Sequence, residues 1–160
     1  MGDDGEDSND PLDIDPDAPS AEVAEVVLSE HGYLSWLNLS VAELSEGRTV
    51  MELPYQEKLA NWVTGTIHGG VTATVIDTAS AFALRTTMDD PMETTLATTD
   101  LDVKYVRPAT SDIRVEAEVI RSGTSTGVTR VTVTGETDAG ERKIVAIGAT
   151  TYRLFTDSEL

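Results

Sequence analysis

The chain has 160 residues, enough for one domain with a real core, and sets 29 acids against 11 Lys and Arg for a formal net charge of -18. That balance excludes nucleic acid, which needs basic patches, and anionic membrane surfaces as partners. There is no cysteine, so disulfides, thiolate nucleophiles and Cys-ligated metal sites are excluded as well.

The charge is unevenly spread. Residues 1–20 hold eight of the acids and no Lys or Arg, which leaves the rest of the chain at about -10. Lysine is scarce: Lys58, Lys104 and Lys143 stand against eight Arg. Acid excess with little Lys fits the cytoplasm of a salt-loving microbe, where concentrated salt screens self-repulsion. An acidic mesophile protein is the alternative. The acidic N-terminus does not read as a signal peptide, and no apolar run reaches membrane-spanning length, so a cytoplasmic protein is expected.

In chain order, residues 1–19 are rich in Asp, Pro and Gly and predict a disordered acidic tail, ahead of a single domain over 20–157. Ser20 followed by early acids predicts a helix with Val23, Val26, Val27 and Leu34 on one stripe. Gly32 is expected to end it, with His31 in the last turn at the negative end of the dipole. Strands are expected over 37–45 and 48–53 around the turn Ser45-Glu46-Gly47, then an irregular stretch to Gly65. The stretch 61–87 reads as a Gly-rich turn feeding a long helix that ends before Asp89-Asp90-Pro91. Four strands follow, over 96–106, 112–121, 128–134 and 143–155, joined by short turns that make neighbours antiparallel. The result is an α+β architecture in which one curved sheet covers one central helix, whose small residues Ala73, Thr74, Thr78, Ala79 and Ser80 let the sheet come close.

The chemistry concentrates in that helix. Gly69 and Gly70 sit at its entry, where N–H groups have no intrahelical partner and the dipole is positive, a place suited to a developing oxyanion. Asp77 lies among Val75, Ile76, Ala79 and Phe82 and reads either as a structural acid bonded to a loop or as a general base or nucleophile. A carbonyl held at the glycines would be roughly 10–12 Å from Asp77 along the axis, against the ~3 Å that attack requires. One chain therefore cannot easily bring both groups to one substrate, whereas two chains related by a twofold axis can. His68 would cap or orient the turn. Two histidines without metal-ligand spacing give no metal site, and neither a Gly-x-Ser-x-Gly elbow nor a phosphate loop is present.

The segment Gly65-Thr-Ile-His68-Gly69-Gly70-Val-Thr-Ala-Thr-Val-Ile-Asp77-Thr-Ala79 resembles the signature of hotdog-fold acyl-CoA thioesterases of the phenylacetate-degradation type, related to the 4-hydroxybenzoyl-CoA thioesterases. The later stretch Thr98 to Ala109, ending Tyr105-Val-Arg-Pro108-Ala109, resembles the strand after the helix in that family, and the resemblance covers residues 34–155. It implies the hotdog fold, dimers that often pair into tetramers, and active sites at the dimer interface. It implies that the Gly69 N–H polarises a thioester carbonyl while Asp77 of the partner chain acts as general base or nucleophile. Asn61 and His68 would orient substrate and turn, and Thr98 would position the attacking water. Three residues, Trp62, Val63 and Thr64, separate Asn61 from Gly65 where the family pattern has two. Gly70 and Trp62 would contact substrate, Trp62 covering the acyl pocket. Among the cations Arg85, Lys104, Arg107, Arg121, Arg142 and Lys143, Arg107 is assigned to substrate. No cofactor is implied, since the CoA thioester is itself the substrate. The expected activity is hydrolysis of an acyl-CoA; the alternatives are a non-catalytic acyl-CoA-binding module and a hotdog hydratase or dehydratase.

Overall fold

The computed structural model describes residues 21–91 and 93–155. The acidic tail, the Ser20 cap and the domain limits at 20 and 157 lie outside these residues. The chain opens with α1 (Ala21–Glu30) and α2 (Gly32–Leu37), followed by strands β1 (Ser40–Ser45) and β2 (Arg48–Leu53). A 3-10 turn at Glu57–Leu59 leads to the long helix α3 (Gly69–Arg85). Strands β3 (Thr95–Tyr105), β4 (Ile113–Ser122), β5 (Thr126–Glu136) and β6 (Arg142–Phe155) complete the chain. They form one antiparallel six-stranded sheet in the order β1-β2-β4-β5-β6-β3. The α+β expectation, a central helix covered by one sheet, describes the molecule: Val75, Ile76, Ala79 and Ala83 of α3 pack into a single core with Met51, Leu53, Ile113, Val115, Ala117, Val131 and Val133.

The sheet comes close to α3 because it is small where the helix is large. A Cβ at Gly148 would lie 2.9 Å from the Ile76 side chain, and one at Gly127 would lie 2.6 Å from Leu84. Strand alternation sorts the two faces. Ile113, Val115 and Ala117 are buried, while Arg114 and Glu116 stand on the outer face beside Arg48 and Glu43.

The N-terminal region departs from expectation. Gly32 does not end the helical region; it opens α2, and His31 is the N-cap, its Nδ1 accepting from the Leu34 N–H at 3.4 Å. A short side chain acceptor before a free helix start serves as a cap, which outweighs the stop signal of the glycine. Leu37, expected to begin a strand, ends α2 and is fully buried. The buried face of α1 is Ala24 and Leu28, with Val27 exposed, so the valine stripe was one step out of phase. The Glu25 carboxylate, which accepts from the Val41 N–H, fixes that rotation against the edge of β1.

The β3 edge is open. Leu101 and Tyr105 are 39% and 56% exposed, and Val103 between them is half-buried. A bulge between Thr98 and Asp100 changes the register of β3 against β6. Bulges of this kind leave one residue out of the ladder, and here Thr99 has no ladder partner between the pairs Thr98–Tyr152 and Asp100–Thr151.

Candidate active site

The helix entry is built by short-range pairing. Ala60 and Ile67 bridge antiparallel, and the Asn61 N–H donates to Thr66 O while Gly65 N–H donates to Asn61 O, both at 2.8 Å. Gly65 closes this loop with φ +65, a conformation glycine adopts without strain. The three intervening residues, Trp62, Val63 and Thr64, form the loop tip. The Asn61 amide donates back to Thr66 O at 3.3 Å. Trp62 stands 96% exposed on that tip and does not line the adjoining cavity, so within its own protomer it covers nothing.

His68 is the N-cap of α3. Its Nδ1 accepts from the Gly70 N–H at 2.9 Å, and its carbonyl accepts from Val71 and Thr72. Of the first four N–H groups of α3, three are thereby used, and among the described residues only that of Gly69 has no acceptor. The sequence placed a ligand oxygen on Gly69 and Gly70 together; the imidazole takes Gly70 out of that role. The two glycines are not required for a left-handed turn, because neither has positive φ. They leave room for two rings: a Cβ at Gly69 would lie 3.1 Å from the Tyr105 ring, and one at Gly70 would lie 3.0 Å from the His68 ring. The Tyr105 hydroxyl donates to the Gly69 carbonyl at 2.6 Å and fixes the ring there.

A cavity of about 410 Å³ opens at this point, lined by Asn61, Gly69, Thr72, Tyr105, Arg107 and Ala146 among others. Its size suits a small-molecule group. Arg107 spends one N–H on Ile144 O at 2.8 Å, and of the six cations named from the sequence it alone lines this cavity. Arg85, by contrast, donates to the Pro91 and Thr94 carbonyls, and Lys104 and Lys143 pair with Asp102 and Glu141. A larger cavity of about 540 Å³ lies beside α1, where Arg114 is paired with Glu43 and Glu52 and Asp112 holds the Tyr55 N–H. Those groups are engaged structurally, so the smaller cavity is the better candidate.

Asp77 lies elsewhere. It is half-buried in the middle of α3, absent from the lining of the Gly69 cavity, and about 12 Å along the axis from the helix entry. Its Oδ1 accepts from Thr98 Oγ1 at 2.9 Å and from the Tyr152 hydroxyl at 2.7 Å. Among the described residues Oδ2 has no partner. The Tyr152 hydroxyl also lies 2.6 Å from the Asp77 carbonyl. Burial, and then the carboxylate beside it, push the Tyr152 ionisation far above its ordinary value, so the phenol stays a donor. The structure thus brings Asn61, His68, Gly69 and Arg107 together at one end, and Thr98 with Asp77 at another. Tyr152 escaped the sequence reading, although a signal existed. It lies on the inward face of β6 with Val145, Thr150 and Leu154, and an inward tyrosine and an inward acid each need a polar partner.

Known proteins resemble this chain in sequence and fold. Residues 64–141 match the model of the thioesterase superfamily. A Halobacterium salinarum protein provisionally named an esterase is 37% identical over 142 residues, covering 86% of this chain and 94% of that one. Human acyl-coenzyme A thioesterase 13 is 29% identical over 118 residues, covering 72% and 79%. The crystal structure of zebrafish thioesterase superfamily member 2 superposes with a TM-score of 0.73 at 25% identity, covering 85% of this chain and 99% of that one. With the central helix and its antiparallel sheet, these likenesses establish that the chain is a hotdog-fold member of the thioesterase superfamily.

Proposed function

We propose that the protein hydrolyses acyl-CoA thioesters to a free carboxylic acid and CoA, with each active site assembled from two protomers. The observation that carries this reading is the state of two groups on one helix. Gly69 lines a cavity and its N–H has no acceptor among the described residues, while Asp77 is held by one oxygen and its other oxygen has no partner among them. The thioester carbonyl would accept from Gly69 at the positive end of α3, with Asn61 beside it. Oδ2 of the partner's Asp77 would take a proton from water as the water oxygen bonds to the carbonyl carbon. The carbonyl electron pair moves to the oxygen at Gly69. Collapse breaks the C–S bond, and the CoA sulfur leaves and takes up the proton. In the alternative route Oδ2 is the nucleophile: it bonds to the carbonyl carbon, the C–S bond breaks and CoA leaves as the thiolate, and water then cleaves the anhydride. The groups named carry either route without a cofactor.

The dimer requirement follows from the separation along α3, and the open β3 edge supports it. That strand presents an unpaired backbone row with Leu101 and Tyr105 exposed, beside Ile144 and Ile147 of β6. Dimers would pair into tetramers, as the family resemblance implies. Arg107 would meet the CoA phosphates. The acid excess and the Halobacterium relative support a protein that works in concentrated salt. Thiol release from a panel of acyl-CoA thioesters tests the function: Asp77→Asn should abolish turnover and leave the dimer folded. Full activity in that variant sinks the assignment, and acyl-CoA binding without thiol release would favour a non-catalytic module.

A further inference from the structure

We propose that Tyr152 is a positioning residue for Asp77: with Thr98 it immobilises Oδ1, so that Oδ2 is the oxygen presented to the reaction. The inference rests on the proposed role of Asp77 and adds to it which atom acts and what selects that atom. Thr98 and Tyr152 are paired across β3 and β6, so their side chains rise from the same face of the sheet. Both hydroxyls converge on Oδ1, at 2.9 and 2.7 Å, and none reaches Oδ2. Bonds from neutral donors to an ionised oxygen are stronger than neutral pairs, and two of them on one oxygen oppose rotation of the carboxylate about its last bond. Tyr152 is itself fixed: it is 2% exposed, and it contacts Thr150, which shares a buried hydroxyl chain with Thr129 and Ser80. Asp77 is therefore anchored to three strands and not only to its own helix.

A tyrosine that merely filled its place in the core would affect stability and nothing else. A positioning tyrosine changes the chemistry. Tyr152→Phe keeps the ring and deletes the donor. It should lower kcat about tenfold with KM within about twofold, and move the acid limb of the pH–rate profile to higher pH, because the ionised carboxylate loses a donor. Fluorotyrosine placed at position 152 keeps the fold, strengthens the donor and should move that limb the opposite way. Thr98→Val should act in the same sense as Tyr152→Phe, with Thr98→Ser restoring the wild-type profile. Any rate left in Asp77→Asn should not fall further on Tyr152→Phe, since the reacting carboxylate oxygen is gone. Unchanged kcat and pH profile in Tyr152→Phe, or in the fluorotyrosine protein should Tyr152→Phe not fold, overturns the inference. Wild-type turnover in Asp77→Asn alone overturns the proposed function instead, so the two failures are told apart.

Discussion

Thr98 and Tyr152 stand opposite each other across β3 and β6, and both place a hydroxyl on the same carboxylate oxygen of Asp77. The pair closes the regular run from Thr95–Phe155, and the register shifts just beyond it, between Thr98 and Asp100. The sheet that covers α3 for stability thereby also sets the orientation of the one acid at its centre. The carboxylate lies beside the open β3 edge, where a second protomer could reach it.

The Gly69 N–H can be removed without removing the helix. Proline is tolerated at the first helical position, because the N–H it lacks has no intrahelical partner there. His68, the preceding residue, has φ -60 and ψ 135, which a following proline accepts. Gly69→Pro should lower kcat by about 10²–10³, the usual cost of one oxyanion donor. Gly69→Ala adds a comparable contact with the Tyr105 ring and keeps the N–H, so it isolates the packing effect. Steady-state kinetics on the pair should show the larger loss in the proline variant.

The imidazole of His68 serves the helix entry by accepting from Gly70. His68→Ala should destabilise the fold by about 1 kcal/mol, as loss of an N-cap does, and His68→Asn should retain most of that stability because its amide oxygen can accept in the same way. Thermal unfolding of the two variants, measured in parallel, checks the order.

Glu43 accepts from both Arg48 and Arg114, and these bonds hold its ionisation below the ordinary value of 4.5. A depressed folded-state value means that the contribution to stability is present above the ordinary value and is lost as pH falls through the folded one. The three side chains lie partly exposed on the outer face of the sheet, so the effect is small and salt-screened. Glu43→Gln should lower Tm slightly at neutral pH and low salt, and the difference should vanish both in molar salt and in acid. The whole protein should move the opposite way, gaining Tm as salt screens its net charge of -18.

The central helix, the sheet strands, and the placement of Gly69 at the helix entry and Asp77 in its middle were legible in the sequence, since each rests on local periodicity or on a short motif. The rest depended on contacts that periodicity does not carry. His31 and Gly32 form a cap and a helix start only because a second helix follows, and α2 lacks the length to announce itself. The His-Gly-Gly run looks like a tight turn, yet its glycines make room for the His68 and Tyr105 rings, the second of which arrives from β3. Tyr152 meets Asp77 through a register fixed by sheet pairing, and a hairpin-distant register is not written in either segment alone.

The central claim is that Gly69 and Asp77 of one helix serve two different active sites. Mixing Asp77→Asn with Gly69→Pro chains tests it most directly, since as pure homodimers the first should be inactive and the second at least about a hundredfold slower. In a hybrid dimer one site would combine the intact Gly69 of the first chain with the intact Asp77 of the second. Random reassembly of equal amounts makes half the dimers hybrid, each with one working site of two, so thiol release should recover to about a quarter of the wild-type rate. Hybrid dimers that are isolated and shown to be mixed, yet release no thiol above the parent variants, would contradict the shared site.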